Sequence, residues 1–153
     1  MFNLFKNKYK NINEYPETWG VIRNEYEGSL ISIRLRIGLK EAIGHPDYPY
    51  LFSTVAIIKN PNENGQPSTS EEEDRLFDIE EYLIKILTEK DEAVFAFITT
   101  VKGQRQYCFY TKNGTVEYMK EKASLIEKEF SDYEFQFENG KDPDWVNLKV
   151  FLQ

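Results

Sequence analysis

The chain has 153 residues, 41% of them apolar and 15% aromatic, with a formal net charge of −7. That composition fits one folded domain with enough chain to bury a core, and it excludes a disordered or fibrous protein. A single cysteine, Cys108, excludes an internal disulfide framework and a cysteine-based zinc site.

Polar Asn3 and Lys6 interrupt the opening, so no signal peptide is expected, and no stretch approaches the roughly 20 apolar residues of a membrane span. A cytoplasmic protein without membrane contact follows as the expectation. Residues 1–18 mix Lys, Asn and Tyr without a period and read as an N-terminal arm before a single α+β domain over residues 19–153. Trp19 to Tyr26 predicts a strand and Glu27-Gly28 a short turn. Ser29 to Leu39 alternates, with Ile31, Ile33, Leu35 and Ile37 on one face and Ser32, Arg34 and Arg36 on the other. This is the pattern of a half-buried antiparallel strand, with the arginine pair toward solvent or a partner. Gly44 to Pro49 must be a loop, and Tyr50 to Ile58, apolar on both faces, a central strand.

After the polar loop from Asn60 to Pro67, Ser68, Thr69 and Ser70 precede Glu71, Glu72 and Glu73. Thr69/Glu72 and Ser70/Glu73 are both candidate capping boxes, and the acidic first turn suits the helix dipole. Leu76, Ile79, Leu83, Ile86 and Leu87 form the core stripe of that helix, widened by Phe77 and Ile84. Ala93 to Val101 predicts a strand buried on both faces, paired through Lys102-Gly103 with Arg105 to Tyr110. Thr115 is placed to cap a second helix whose stripe is Met119, Ala123, Ile126 and Phe130. Tyr133, Phe135 and Phe137 alternate with charged or polar residues as in an edge strand, closed by Asp142-Pro143-Asp144-Trp145. Alternation in Val146 to Gln153 favours a terminal strand, although Trp145, Leu148 and Leu152 also fit a helix. Leu76, Leu83 and Phe109 are expected together between helix and sheet. Trp145 is expected to be docked, with Asp142 holding the turn that aims it.

From Tyr50 onward the order is βαββαβ, the ferredoxin-like split βαβ sandwich. The Trp19–Leu39 hairpin is an N-terminal addition that extends the sheet or covers one edge.

Several short motifs resemble a bacterial family, domain of unknown function 695. They are Trp19, Asn60-Pro61 with Gly65, Glu72 to Leu76 with Ile79-Glu80, Thr99-Thr100, Gly103 to Tyr107 with Phe109-Tyr110, and Asp142 to Trp145 with Phe151-Leu152. The resemblance spans about residues 19–152. It implies a ferredoxin-like fold, a possible relation to the regulator of ribonuclease activity B, and a regulatory character. It brings no catalytic residues.

The residues themselves carry little catalytic chemistry. His45, the single histidine, forms with Asp47 a weak metal pair on a proline-rich loop. Cys108 inside a strand suits a small buried hydrophobe better than a nucleophile. Lys102 to Tyr110 superficially resembles an RNA-recognition strand but lacks the stacking aromatics that such a strand needs. The expectation is therefore no enzyme, no cofactor and no metal. Residues 41–91 hold twelve acidic side chains against four basic, a local −8, which disfavours nucleic acid. The candidate interaction surface is Glu71, Glu72, Asp74, Asp78 and Glu81, for a protein partner. The candidate ligand loop is His45, Tyr48, Tyr50 and Trp145, for a small molecule. An immunity-type protein that binds a toxin is the third reading.

Overall fold

Two left-handed turns set the register of the sheet. Glu27-Gly28 (φ 50° and 79°) and Lys102-Gly103 (φ 51° and 77°) each hold both central residues at positive φ. This is the two-residue hairpin geometry whose twist matches paired strands. The first turn closes β1 (Trp19–Tyr26) on β2 (Ser29–Arg36), and the second closes β4 (Ala93–Val101) on β5 (Gln104–Thr111). In the computed structural model, which describes residues 8–153, β3 (Tyr50–Ile57) and β6 (Phe135–Lys141) complete one antiparallel sheet. Its order is β1-β2-β4-β5-β3-β6, so the hairpin extends the sheet beyond β4. Helix α1 (Ser70–Leu87) joins β3 to β4, and α2 (Val116–Glu129) joins β5 to β6.

Both faces of the sheet are covered. On one side α1 and α2 bury Leu76, Ile79, Leu83 and Ile126 against Phe52, Phe95 and Phe109, so Leu76, Leu83 and Phe109 meet as expected. The Phe95 and Phe109 rings stack there at 4.6 Å. On the other side Val94, Phe97 and Tyr110 lie beneath Leu39, Ala42, Trp145 and Leu148. A register shift between Phe95 and Phe97 inserts Ala96 into β4. Ala96 and Phe97 then both serve the second face.

The strand after the first turn is shorter than its alternation predicts. It ends at Arg36 and gives way to a 3₁₀ turn, Ile37–Ala42, so Ile37 is exposed while Leu39 and Ala42 are buried. A side chain at Gly38 would come within 2.0 Å of the Pro16 carbonyl, so the chain passes close under the arm and bends there. The arginine pair also departs from expectation. Arg36 is buried, donating to the carbonyls of Tyr15 and Pro16, and Arg34 pairs with Glu80. The expected arm is docked in its described part, through buried Ile12 and Tyr15. Residues 1–7 of that arm lie outside the described residues.

At the start of α1, Thr69 accepts the Glu72 N–H at 3.2 Å, which is half of a capping box. The Glu72 carboxylate turns away and accepts the N–H groups of Lys59 and Asn60, each at 2.9 Å, and the Tyr133 hydroxyl at 2.8 Å. Ser70 is the first helical residue, so the Ser70/Glu73 box does not form.

The tail is helical rather than extended: α3 (Val146–Lys149) runs into a 3₁₀ turn at Val150–Leu152. Asp142 decides between the two periods. Its carboxylate accepts the N–H groups of Val146 (2.9 Å) and Asn147 (3.2 Å), the Asn147 side-chain amide (2.9 Å) and the Tyr110 hydroxyl (2.7 Å). Trp145, at φ 54°, then lies flat on Tyr110 with ring centroids 4.3 Å apart, and its indole N–H donates to the Tyr48 carbonyl at 2.9 Å. Trp145 is fully buried, as expected of a docked tail.

Leu83→Ala is expected to cost roughly 2–5 kcal/mol in denaturant unfolding, the range for emptying a well-packed leucine site. A loss under about 0.5 kcal/mol, typical of surface changes, would contradict the core assignment. Burial acts to raise the Asp142 pKa, but the hydrogen bonds from Asn147, Tyr110 and Val146 outweigh it and hold the group below the ordinary carboxylate value. A depressed acid stabilises the fold above its unfolded pKa of about 3.9, and that contribution is lost as pH falls through the folded value. Asp142→Asn should therefore cost about 2–4 kcal/mol at pH 7, since several charge-assisted bonds are lost together. The gap between variant and parent should shrink below about pH 4. A gap that stays constant from pH 7 to pH 3 would contradict the account.

Candidate functional site

Two helices do not span six strands. No buried residue of the helix-side core comes from β1 or β2, and Trp19 is the hairpin's contact with that core. The hairpin and α1 consequently face each other across an open cleft. Its larger hollow, about 500 Å³, is lined by Trp19, Arg34, Arg36, Glu80, Ile84 and Phe95 among others. A smaller one of about 230 Å³ continues past Val21, Arg23, Phe77 and Arg105. Arg34 and Glu80 line both hollows and bond to each other where they meet.

Alternation along β2 brings these groups to the cleft. Ile33 and Leu35 are buried in the second-face core, which turns Arg34 and Arg36 toward the helix side. Arg34 stacks its guanidinium over the Trp19 ring at 5.4 Å, and Trp19 in turn meets Phe95 at 5.1 Å. Glu80 stands one helical turn beyond Leu76 on the buried side of α1. Burial raises its pKa above the ordinary carboxylate value, against the opposing pull of Arg34. Burial likewise depresses Arg36, opposed at longer range by Glu17. Such a cleft, with aromatic walls and fixed charges, suits the binding of a small molecule or a side chain.

The residues singled out from the sequence fall into separate places. Glu71, Asp74, Asp78 and Glu81 are exposed on the outer face of α1, whereas Glu72 is buried and leaves that surface. His45, Tyr48 and Trp145 do come together, but as part of the second-face core. His45 Nδ1 accepts the Asp47 N–H at 3.2 Å, which assigns the Nε2–H tautomer donating to the Lys10 carbonyl at 2.7 Å. The Tyr48 hydroxyl donates to the Asp91 carbonyl at 2.6 Å. Tyr50 packs its ring over Gly114, where a Cβ would come within 2.2 Å of it. The polar groups of His45, Tyr48 and Trp145 are spent on internal bonds and the Tyr50 ring is packed on Gly114, so the four do not form an open loop site. Cys108 is buried beside Ser53, and burial pushes its thiol up to about 12, well away from a poised nucleophile. Among the described residues, no group of three His, Cys, Asp or Glu is placed to hold a metal.

The cleft residues Trp19, Arg34, Arg36 and Glu80 were not singled out as a site from the sequence. The available signal was a carboxylate, Glu80, four residues after Leu76 on an apolar stripe, opposite an Arg-x-Arg alternation on a strand.

The motif residues that carried the family resemblance do structural work in this fold. The loop from Asn60 to Pro67 leans on the β4–β5 turn, with the Gly103 N–H donating to the Gly65 carbonyl at 2.9 Å. A Cβ at Gly65 would lie 2.7 Å from the Lys102 nitrogen. Asp142 and Trp145 pin the tail. No curated protein and no solved structure matches the chain. A family model described as a family of unknown function (DUF695) matches residues 17–153, and the chain belongs to that family.

Proposed function

We propose that this chain is a non-catalytic interaction module that docks a basic protein surface through the outer stripe of α1. The observation that carries this reading is Phe77, 49% exposed in the middle of an acidic stripe. Asp74, Phe77, Asp78 and Glu81 follow the i, i+3, i+4, i+7 spacing of one helical face. Among the described residues, Glu71, Asp74 and Glu81 have no basic partner within 4 Å, and Asp78 has only Arg75 at 3.9 Å. Exposed Val21 extends the apolar contact from Phe77 across the smaller hollow. An aromatic anchor beside carboxylates of which Asp78 alone has a basic neighbour complements a surface of lysine and arginine around an apolar pocket.

The fold reading that goes with this role is ferredoxin-like. It is supported by the element order β3-α1-β4-β5-α2-β6 and the strand order β6-β3-β5-β4, with the hairpin widening the sheet at β4. A reducing, cytoplasmic setting suits a chain whose single thiol is buried. Among the described residues, no helix is long and apolar enough to cross a membrane.

Asp74→Lys/Asp78→Lys/Glu81→Lys changes exposed side chains and should leave stability within about 0.5 kcal/mol per site. A partner recovered by the parent chain in affinity capture should be lost to this variant and to Phe77→Ser, and its binding should weaken as salt is raised. Equal recovery by parent and both variants would remove the stripe as the docking surface.

A further inference from the structure

The larger hollow holds a charge that the protein does not neutralise by contact. Arg36 is 7% exposed, and its Nε and Nη2 donate to the carbonyls of Pro16 and Tyr15 at 3.0 and 2.8 Å. Carbonyls satisfy those hydrogen bonds and leave the positive charge in place. Among the described residues, no carboxylate lies within 4 Å of Arg36, and its Nη1 has no acceptor. Glu17 is exposed and acts on it only at a distance. A desolvated cation without a contact anion is costly, and a planar guanidinium is shaped to receive a carboxylate. The second guanidinium of the hollow, Arg34, is more open (its side chain 39% exposed) and is shared with Glu80.

The hollow combines an apolar wall with polar and acidic groups, since Asn13, Glu17, Thr88 and Asp91 line it as well as Glu80. Trp19, Ile84, Ala93 and Phe95 supply the apolar lining, with the Trp19 ring 5.4 Å from the Arg34 guanidinium and 5.1 Å from the Phe95 ring, and Arg36 lines the same hollow. Its volume of about 500 Å³ lies inside the roughly 300–1,000 Å³ typical of small-molecule sites. We propose that the hollow between the hairpin and α1 binds a small aromatic carboxylate, its anionic group on Arg36 and its ring against Trp19, Ile84 and Phe95. Arg34 closes over the ring from the side that already stacks on Trp19. The proposal makes no use of the acidic stripe and stands or falls apart from it.

Indole-3-acetate, indole-3-ethanol and tryptamine carry the same ring with an anionic, a neutral and a cationic group. Each is titrated into the nitrogen-15-labelled protein, with the Trp19 indole signal and the amides of Thr88 and Val94 as reporters. Indole-3-acetate should give saturable shifts at these positions and bind at least about tenfold more tightly than the other two. Arg36→Lys, which keeps the charge and loses the planar fork, should weaken it by about tenfold. Arg34→Gln, at a more open position that tolerates change, should also weaken it, with the melting temperature of each variant recorded alongside. Equal binding of the alcohol, preference for the amine, shifts confined to surfaces outside the cleft, or no shift at millimolar acid would each overturn the proposal. So would an unchanged affinity in both variants.

Discussion

The central strand β4 and the adjoining stretch of β5 from Tyr107 to Tyr110 are buried on both faces, and that demand organises the molecule. β4 is buried at every position from Ala93 to Thr100, so a sheet with helices on one side alone would leave Val94, Phe97 and Tyr110 in water. The second cover comes from short irregular pieces: the arm, the 3₁₀ turn at Ile37–Ala42 and the tail. Such pieces bring little intrinsic stability and need to be pinned. The clasp of Asp142, Tyr110 and Trp145 supplies the pin. It caps α3, satisfies a buried phenol and stacks two large rings in one place.

The same sheet geometry accounts for the cleft. A six-stranded sheet is wider than a layer of two helices, and the shortfall falls at the hairpin. On the second face the hairpin is buried through Ile33 and Leu35, which anchors it. On the helix side it presents Trp19, Arg34 and Arg36 to the cleft, which the Arg34–Glu80 bond bridges to α1. The hairpin and the capped helix thus form two walls of the cleft. The acidic stripe faces away from the core on that helix, so one element supplies a wall to the cleft and, in the proposed role, the docking surface.

Local periodicity made most of this legible in advance. The two hairpin turns, the core stripe from Leu76 to Leu87 and the doubly buried run from Ala93 follow from neighbours in sequence. What escaped depends on neighbours in space. Arg34 and Arg36 sit on the polar face of an alternating strand, and nothing local says that this face meets α1 and the arm. Ile37 continues the alternation perfectly, yet Gly38 must slip under Pro16, so the strand ends first. Glu72 and Glu80 look like members of a solvated acidic run, although each stands on the inward side of its turn. The tail satisfied both periods through Leu148 and Leu152. The choice fell to Asp142, whose carboxylate captures the N–H groups of a helix start.

The dependence of the second face on the clasp can be read from one proton. The indole N–H of Trp145 is buried and donates to the Tyr48 carbonyl, whereas Trp19 is half-buried at the rim of the cleft. In hydrogen–deuterium exchange followed by nitrogen-15 spectra, the Trp145 indole proton should persist on the timescale of global unfolding, long after the Trp19 indole has exchanged. Exchange of the two indoles at similar, fast rates would mean that the tail lifts off the folded sheet freely, and would contradict a fold that relies on it for its second cover.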